Sequence, residues 1–62
     1  MANSLSRAKH YRENAAECRE LAGLATDQSI IVEYQRIAEH YIKLAEAEEK
    51  LAAEWAARLR RA

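Results

Sequence analysis

The sequence predicts an all-α protein that folds as an antiparallel two-helix hairpin, with the second helix longer than the first. Three observations support this fold class: strong helix formers dominate, apolar residues recur with helical spacing, and one short break interrupts the pattern. The chain has 62 residues, fourteen of them alanine, with one Gly and no Pro. This length fits one small domain, residues 1–62, and leaves no room for an α/β enzyme.

The first helix is predicted to span about residues 4–23. Ser4 or Ser6 is expected to cap its start, because a serine hydroxyl can accept a hydrogen bond from a free amide of the first turn. Gly23 is expected to end it in a left-handed conformation, which glycine adopts without a Cβ clash. The apolar positions follow steps of three and four and form one stripe: Leu5, Ala8, Tyr11, Ala15, Cys18, Ala22 and Ala25.

A turn is predicted at about residues 24–27, and the second helix over about residues 28–60. Asp27 is expected to cap this helix, with Thr26 and Ser29 as competing caps. The helix carries a main apolar stripe and, beside it, a parallel row made mostly of alanine. The stripe is Ile30, Tyr34, Ile37, Tyr41, Leu44, Leu51 and Trp55, interrupted by Glu48, and the row is Ala38, Ala45, Ala52, Ala56 and Leu59.

The short turn predicts that the two helices pack antiparallel. Pairing outward from the turn mostly sets a small residue of the first helix against a larger one of the second. The expected neighbours are Ala22 with Ile30, Cys18 with Tyr34, Ala15 with Ile37 and Ala38, Tyr11 with Tyr41, and Ala8 with Leu44 and Ala45. Glu48 is expected to pair with Arg7 or Lys9, or with an arginine of a second protomer. Pairs at i, i+4 are expected along the solvated flank: Glu39–Lys43, Glu46–Lys50 and Glu54–Arg58.

The difference in helix length predicts a protein partner. At 1.5 Å per residue the helices span about 30 and about 50 Å, so the second extends past the first by about two or three turns. An apolar stripe with a Trp favours a covered surface, so this far end is the predicted interface: Leu51, Trp55, Ala56 and Leu59. The main prediction is a homodimer that forms a coiled-coil-like four-helix bundle. Docking of the second helix into a larger protein complex, and a monomeric hairpin with a mobile end, stay open.

Charge balance and cysteine content argue against several classes of protein. Ten basic and ten acidic residues give zero formal net charge, which removes nonspecific attraction to nucleic acid or to an anionic membrane. No apolar run approaches the ~20 residues of a membrane span, and no signal-peptide pattern follows Met1. We therefore expect a cytoplasmic protein without nucleic-acid or membrane partners. The basic residues Arg58, Arg60 and Arg61 are interpreted as charges that suit the end of a helix.

No residue pattern predicts catalysis, a cofactor, a metal or a small-molecule substrate. Cys18 lies on the inward stripe, far from a helix start, so packing is its expected role and a thiol-based sensor is the alternative. His10 and His40 lack the further ligands that a metal site needs, and the Glu-x-x-His spacing of di-iron bundles does not occur. The sequence has no nucleophile–base pair, Gly-rich phosphate loop or Cys-x-x-Cys motif. The protein is therefore predicted to be non-enzymatic.

Part of the pattern resembles a known family. The residues concerned are Tyr11-Arg12, Ala15, Glu17-Cys18-Arg19, Leu21-Ala22, Asp27, Tyr34, Ile37-Ala38, Tyr41 and Leu44-Ala45. Over about residues 8–46 they resemble small uncharacterised bacterial proteins that are frequent in alphaproteobacteria. The resemblance implies a helical hairpin of bacterial, cytoplasmic origin, and it brings no established activity and no catalytic residue. Gln28 stands where the family often carries Pro, so the start of the second helix is less sharply defined, and Tyr41 stands near a position where the family often carries Trp.

Overall fold

The computed structural model describes residues 3–61, and this part of the chain forms two helices. They are α1 (Ser4–Leu24) and α2 (Gln28–Arg61), joined by a turn and packed antiparallel without any strand in the described range. The predicted all-α hairpin with a longer second helix is confirmed, and each helix end lies within one residue of its predicted position. Residues 1, 2 and 62 of the predicted single domain lie outside the described range.

The residue that caps the start of helix α1 precedes both serines predicted for this role, lying one residue before Ser4 and three before Ser6. Asn3 is the N-cap: its side-chain Oδ1 accepts a hydrogen bond from the Ser6 amide at 2.8 Å, and its carbonyl accepts one from the Arg7 amide at 3.0 Å. The prediction of Ser4 or Ser6 as the cap was therefore wrong. Asn, Ser and Asp cap helices about equally well, so a run of such residues does not reveal which one stands first.

Helix α1 ends without a left-handed residue. The helix continues through Gly23 to Leu24, and Ala25 forms an extended C-cap with φ −76° and ψ 147°, its amide donating to the Leu21 carbonyl at 3.1 Å. No residue in the range 3–61 has positive φ, so the predicted left-handed Gly23 was wrong. An extended C-cap turns the chain without requiring glycine.

Asp27 caps helix α2, as predicted. Its Oδ1 accepts a hydrogen bond from the Ser29 amide at 2.8 Å, and its carbonyl accepts one from the Ile31 amide at 3.0 Å. The bond from Ser29 favours the charged carboxylate and lowers the pKa of Asp27 below its ordinary value. A charged cap at this end also suits the positive end of the helix dipole.

The two helices meet along a seam of small side chains. Every buried residue of the described chain is an alanine or Cys18: Ala8, Ala15, Cys18 and Ala22 from α1, and Ala38 and Ala45 from α2. Tyr41 and Ile42 pack against the cluster of Ala15, Cys18 and Ala38, and the rings of Tyr11 and Tyr41 stack with centroids 6.2 Å apart. The predicted pairing of Ala15 with Ala38 and of Tyr11 with Tyr41 is confirmed.

The rotation of α2 about its axis differs from the prediction. The alanine row faces α1, whereas Ile30 and Ile37 of the predicted inward stripe are exposed, as is Leu5 of α1. Alanine on both sides lets the helix backbones approach closely, which brings many atoms into dispersion contact. Close approach therefore favours the small residues over the large ones at the seam.

The molecule is long and thin, with extents of 54 × 18 × 13 Å. Helix α2 has 34 residues and α1 has 21, so α2 is longer by about 20 Å at 1.5 Å per residue. Asn3, one turn before Arg7, lines a groove with Ala52, so the start of α1 lies near the level of Ala52. Residues 53–61, which we call the overhang, extend beyond α1.

Candidate functional site

One side of the hairpin exposes a line of large aliphatic residues along α2. Ile30, Ile37, Leu44 and Leu51 are spaced by seven residues, so they lie on one line of the helix surface. Ile30, Ile37 and Leu51 expose 47%, 41% and 45% of their surface, and Leu44 is half-buried. Together with Leu21 we call this line the apolar face.

An ion pair between the helices shows that Leu21 belongs to the apolar face. The Arg7 Nε donates to Glu48 Oε1 at 3.0 Å, as the sequence predicted, and this bond lowers the pKa of Glu48 below its ordinary value. Glu48 is on the turn of α2 beside Leu44 and Leu51, so this contact sets the Arg7 line of α1 next to the apolar face. Leu21, fourteen residues from Arg7 and thus on the same line of α1, is also exposed.

The opposite side of the hairpin is lined with charges, and we call it the charged face. Arg12 binds the Glu49 carboxylate with two hydrogen bonds, at 2.8 and 2.7 Å, and these lower the pKa of Glu49. A groove on the same side is lined by Arg19, Glu39, Ile42, Lys43 and Glu46. The predicted i, i+4 pairs along α2 are not formed in the described range, where Arg36 instead binds Glu33 at 3.4 Å.

The far end of α2 holds the four residues predicted as the interface. Trp55 and Leu59 expose 59% and 72% of their surface, and Leu51 and Ala56 are also exposed. The Arg58 guanidinium lies over the Trp55 ring, 5.5 Å from its centroid. The start of α1 and this end of α2 form an open groove of about 490 Å³, lined by Asn3, Ser4, Leu5, Arg7, Ala52, Trp55, Ala56 and Leu59. Their role as an interface stays a prediction.

Cys18 is buried in the seam as a free thiol. It packs in the cluster with Ala15 and Ala38, against which Tyr41 and Ile42 are placed. Only 9% of the surface of Cys18 is exposed, so the residue is largely shielded from reagents in solution. The packing role is consistent with this position, and the thiol-sensor hypothesis requires the sulfur to react nevertheless.

The two histidines lie apart from any group of metal ligands. His10 lines a shallow groove of about 340 Å³ with Ser6, Arg7 and Tyr11, all from α1, and His40 is exposed. Among residues 3–61 no group of three or more His, Cys, Asp or Glu side chains is placed to hold a metal ion. Over the same range, neither helix has a stretch long and apolar enough to cross a bilayer.

The sequence prediction missed most of the apolar face as a surface. Ile30, Ile37 and Leu44 were assigned to the contact with α1. The signal was present in the spacing, because four aliphatic residues seven apart run beside an alanine row with the same repeat. Two such lines on one helix indicate two separate contacts.

Comparisons with known proteins add no relative. No family model matches the chain, and no match was found among curated proteins or among solved structures. The resemblance to the small alphaproteobacterial proteins therefore stays a prediction, and the candidate site rests on the geometry of the hairpin.

Proposed function

We propose that this protein is a non-enzymatic interaction protein that acts by self-association through its apolar face and overhang. The observation that carries this proposal is the exposure of Ile30, Ile37, Leu51 and Trp55 on one side of α2, while the fully buried residues of α2 in the described range are alanines. Scattered apolar residues on a surface need no explanation, but a line of them along a helix is typical of a contact with another helix.

The exposed area supports the same proposal. The chain exposes 5060 Å², whereas a compact monomer of 7.1 kDa exposes about 4,100 Å². The excess of roughly 1,000 Å² is similar to the ~800 Å² that one partner contributes to a standard interface. The radius of gyration of 15.1 Å also exceeds the ~10.6 Å of a compact chain of this length.

The thin cross-section of the hairpin indicates why a partner would stabilise its fold. Two helices bury only one line of side chains each, and here these lines are alanine and cysteine, which remove little apolar area from water. Chains of this size are marginally stable unless something adds to the core. Two hairpins joined through their apolar faces form a four-helix bundle with a core of large aliphatic residues.

A pair of matched substitutions tests the proposal. Ile37 on the apolar face and Val32 outside it are similarly exposed, at 41% and 39%. Sedimentation velocity at micromolar concentrations is expected to give a dimer for the wild type and for Val32→Glu, and a monomer for Ile37→Glu. Circular dichroism checks that each variant is helical. A wild type that stays monomeric, with Trp55 fluorescing as in water, contradicts the proposal.

An accessory subunit of a larger complex is the second candidate function. The exposed Trp55, in a groove with Leu59, is the kind of aromatic anchor that dominates heteromeric interfaces. In this case the isolated chain stays monomeric and poorly helical, and it orders only when co-expressed with its partner. Co-purification of the untagged protein from its native cell, with partners identified by mass, distinguishes this function from self-association.

A thiol-based sensor that acts through the free Cys18 is a further proposal, and so is a cytoplasmic location, with which a free thiol agrees. A sensor requires native Cys18 to react with a thiol reagent much faster than a buried thiol does. Labelling of the folded protein measures this rate directly. A rate that rises only as the hairpin unfolds leaves Cys18 with a packing role.

A further inference from the structure

We infer that the second copy packs antiparallel to the first, so that the overhang of each chain covers the turn end of its partner. This inference rests on the proposed self-association and adds the direction in which the two chains run. It concerns α2 and the turn end, by which we mean residues 17–33.

The spacing of residues on this side of α2 is the same in both directions. Eight residues form two neighbouring lines on this side of the helix: Ile30, Tyr34, Ile37, Tyr41, Leu44, Glu48, Leu51 and Trp55. The gaps between successive residues are four, three, four, three, four, three and four positions. Because this series of gaps is palindromic, two copies running in opposite directions can match at every position. Ile30 then meets the partner's Trp55, and Tyr41 meets the partner's Leu44.

This alignment covers the apolar surface that a single chain leaves open. Matching positions 30 and 55 places the overhang beside the partner's turn end. The turn end exposes large apolar residues of its own, namely Leu21, Leu24 and Ile30. A parallel arrangement instead pairs each overhang only with the other overhang, beyond both copies of α1, and leaves the outer side of each in water.

The charges at the two ends are complementary. The overhang carries three basic residues and one acidic residue, which are Arg58, Arg60, Arg61 and Glu54. The turn end carries four acidic residues and one basic residue, which are Glu17, Glu20, Asp27, Glu33 and Arg19. Antiparallel pairing brings these opposite charges together, whereas parallel pairing brings like charges together. Antiparallel pairing also places the positive end of one helix dipole beside the negative end of the other.

Distances between spin labels test the direction. In a Cys18→Ser background, a label at Arg61→Cys reports the separation of the two overhangs by pulsed electron paramagnetic resonance. Antiparallel copies that match 30 with 55 place these labels about 55 Å apart along the helix axis, and parallel copies place them within about 20 Å. His40→Cys, near the predicted two-fold axis, is the matched control and gives a short distance in either arrangement.

The outcomes separate the inference from the proposed function. A long distance at position 61 with a short one at position 40 supports antiparallel pairing. A short distance at both positions overturns this inference and leaves self-association intact. A monomer by sedimentation, without an intermolecular distance at either position, overturns the proposed function itself.

Charge reversal of the overhang gives an independent readout. Replacing Arg58, Arg60 and Arg61 by Glu sets acidic residues against the partner's acidic turn end in antiparallel pairing, and the dissociation constant is expected to rise by about tenfold or more. In parallel pairing the three glutamates repel each other as the three arginines did, so the constant changes little. Low salt enlarges the difference, and circular dichroism checks that the helix content is kept. An unchanged dissociation constant at low salt contradicts antiparallel pairing.

Discussion

The charged face and the apolar face lie on either side of the same alanine seam, but only the charged face finds its partners within one chain. On the charged face Arg12 binds Glu49 with two hydrogen bonds, and Arg19 lies in one groove with Glu39 and Glu46. On the apolar face Ile37 and Leu51 leave more than a third of their surface in contact with water. The difference shows that a two-helix layer can satisfy polar side chains locally, whereas large apolar side chains need a further layer.

The largest effect is expected where the seam that separates the two faces is overfilled. Ala45 is fully buried, so Ala45→Leu forces the helices apart and is expected to lower the free energy of unfolding by about 1–3 kcal/mol. Urea denaturation followed by circular dichroism measures this loss. Ala47→Leu, at an exposed position on the same helix, is the control and is expected to change stability by less than about 0.5 kcal/mol. Equal stability of the two variants contradicts the alanine seam.

The next effect is expected at the end of the apolar side. Removing the exposed ring by Trp55→Ala is expected to weaken self-association by about 2 kcal/mol, or roughly 30-fold in the dissociation constant. Sedimentation equilibrium measures the constant without relying on Trp fluorescence. Val32→Ala removes apolar surface away from this side and is expected to leave the constant unchanged. A comparable loss in both variants means that exposed apolar area in general, and not this side, drives association.

Acid is expected to weaken the ion pairs that border both faces. The pKa values of Glu48 and Glu49 are lowered from 4.5 by their hydrogen bonds to Arg7 and Arg12. Because the folded pKa is the lower one, each pair stabilises the hairpin above the ordinary carboxyl pKa, and this contribution is lost as pH falls through the folded pKa. Thermal unfolding measured over the pH range in which carboxylates titrate shows this loss of stability. Arg7→Gln and Arg12→Gln are expected to make the loss smaller, because each removes one ion pair. A hairpin that becomes more stable on acidification contradicts this assignment.

The smallest effect is expected from Gly23, which lines a groove with Arg19 and Gln35 away from the apolar face. A Cβ added there meets no atom within 4 Å, and the backbone φ is not positive. Gly23→Ala is therefore expected to raise the free energy of unfolding by about 0.4–1 kcal/mol, with no change in association. Chemical denaturation and sedimentation test the two parts separately. A loss of stability would mean that Gly23 adopts the left-handed conformation after all.

The sequence predicted the helices, the turn and the pairing register because each depends on local signals. Asp27 marks the start of α2, and pairing outward from the short turn aligns Tyr11 with Tyr41. The rotation of α2 was missed, because Ile37 and Ala38 are adjacent in sequence and both fit an inward line. Deciding between them requires knowing how closely the backbones approach, which is a property of both helices together. The Arg12–Glu49 pair was also missed, because a long side chain can reach a residue of the other helix that is not directly opposite it.

The alanines of the seam do not by themselves determine how far one helix is shifted along the other, and other residues set this register. A slide of one helix past the other by seven residues sets alanine opposite alanine again, because Ala8, Ala15 and Ala22 have the same repeat as Ala38, Ala45 and Ala52. Such a slide separates the stacked tyrosine rings and both interhelical ion pairs. These three contacts therefore oppose sliding of the helices. Each seven-residue step would change the length by which α2 extends beyond α1 by about 10 Å.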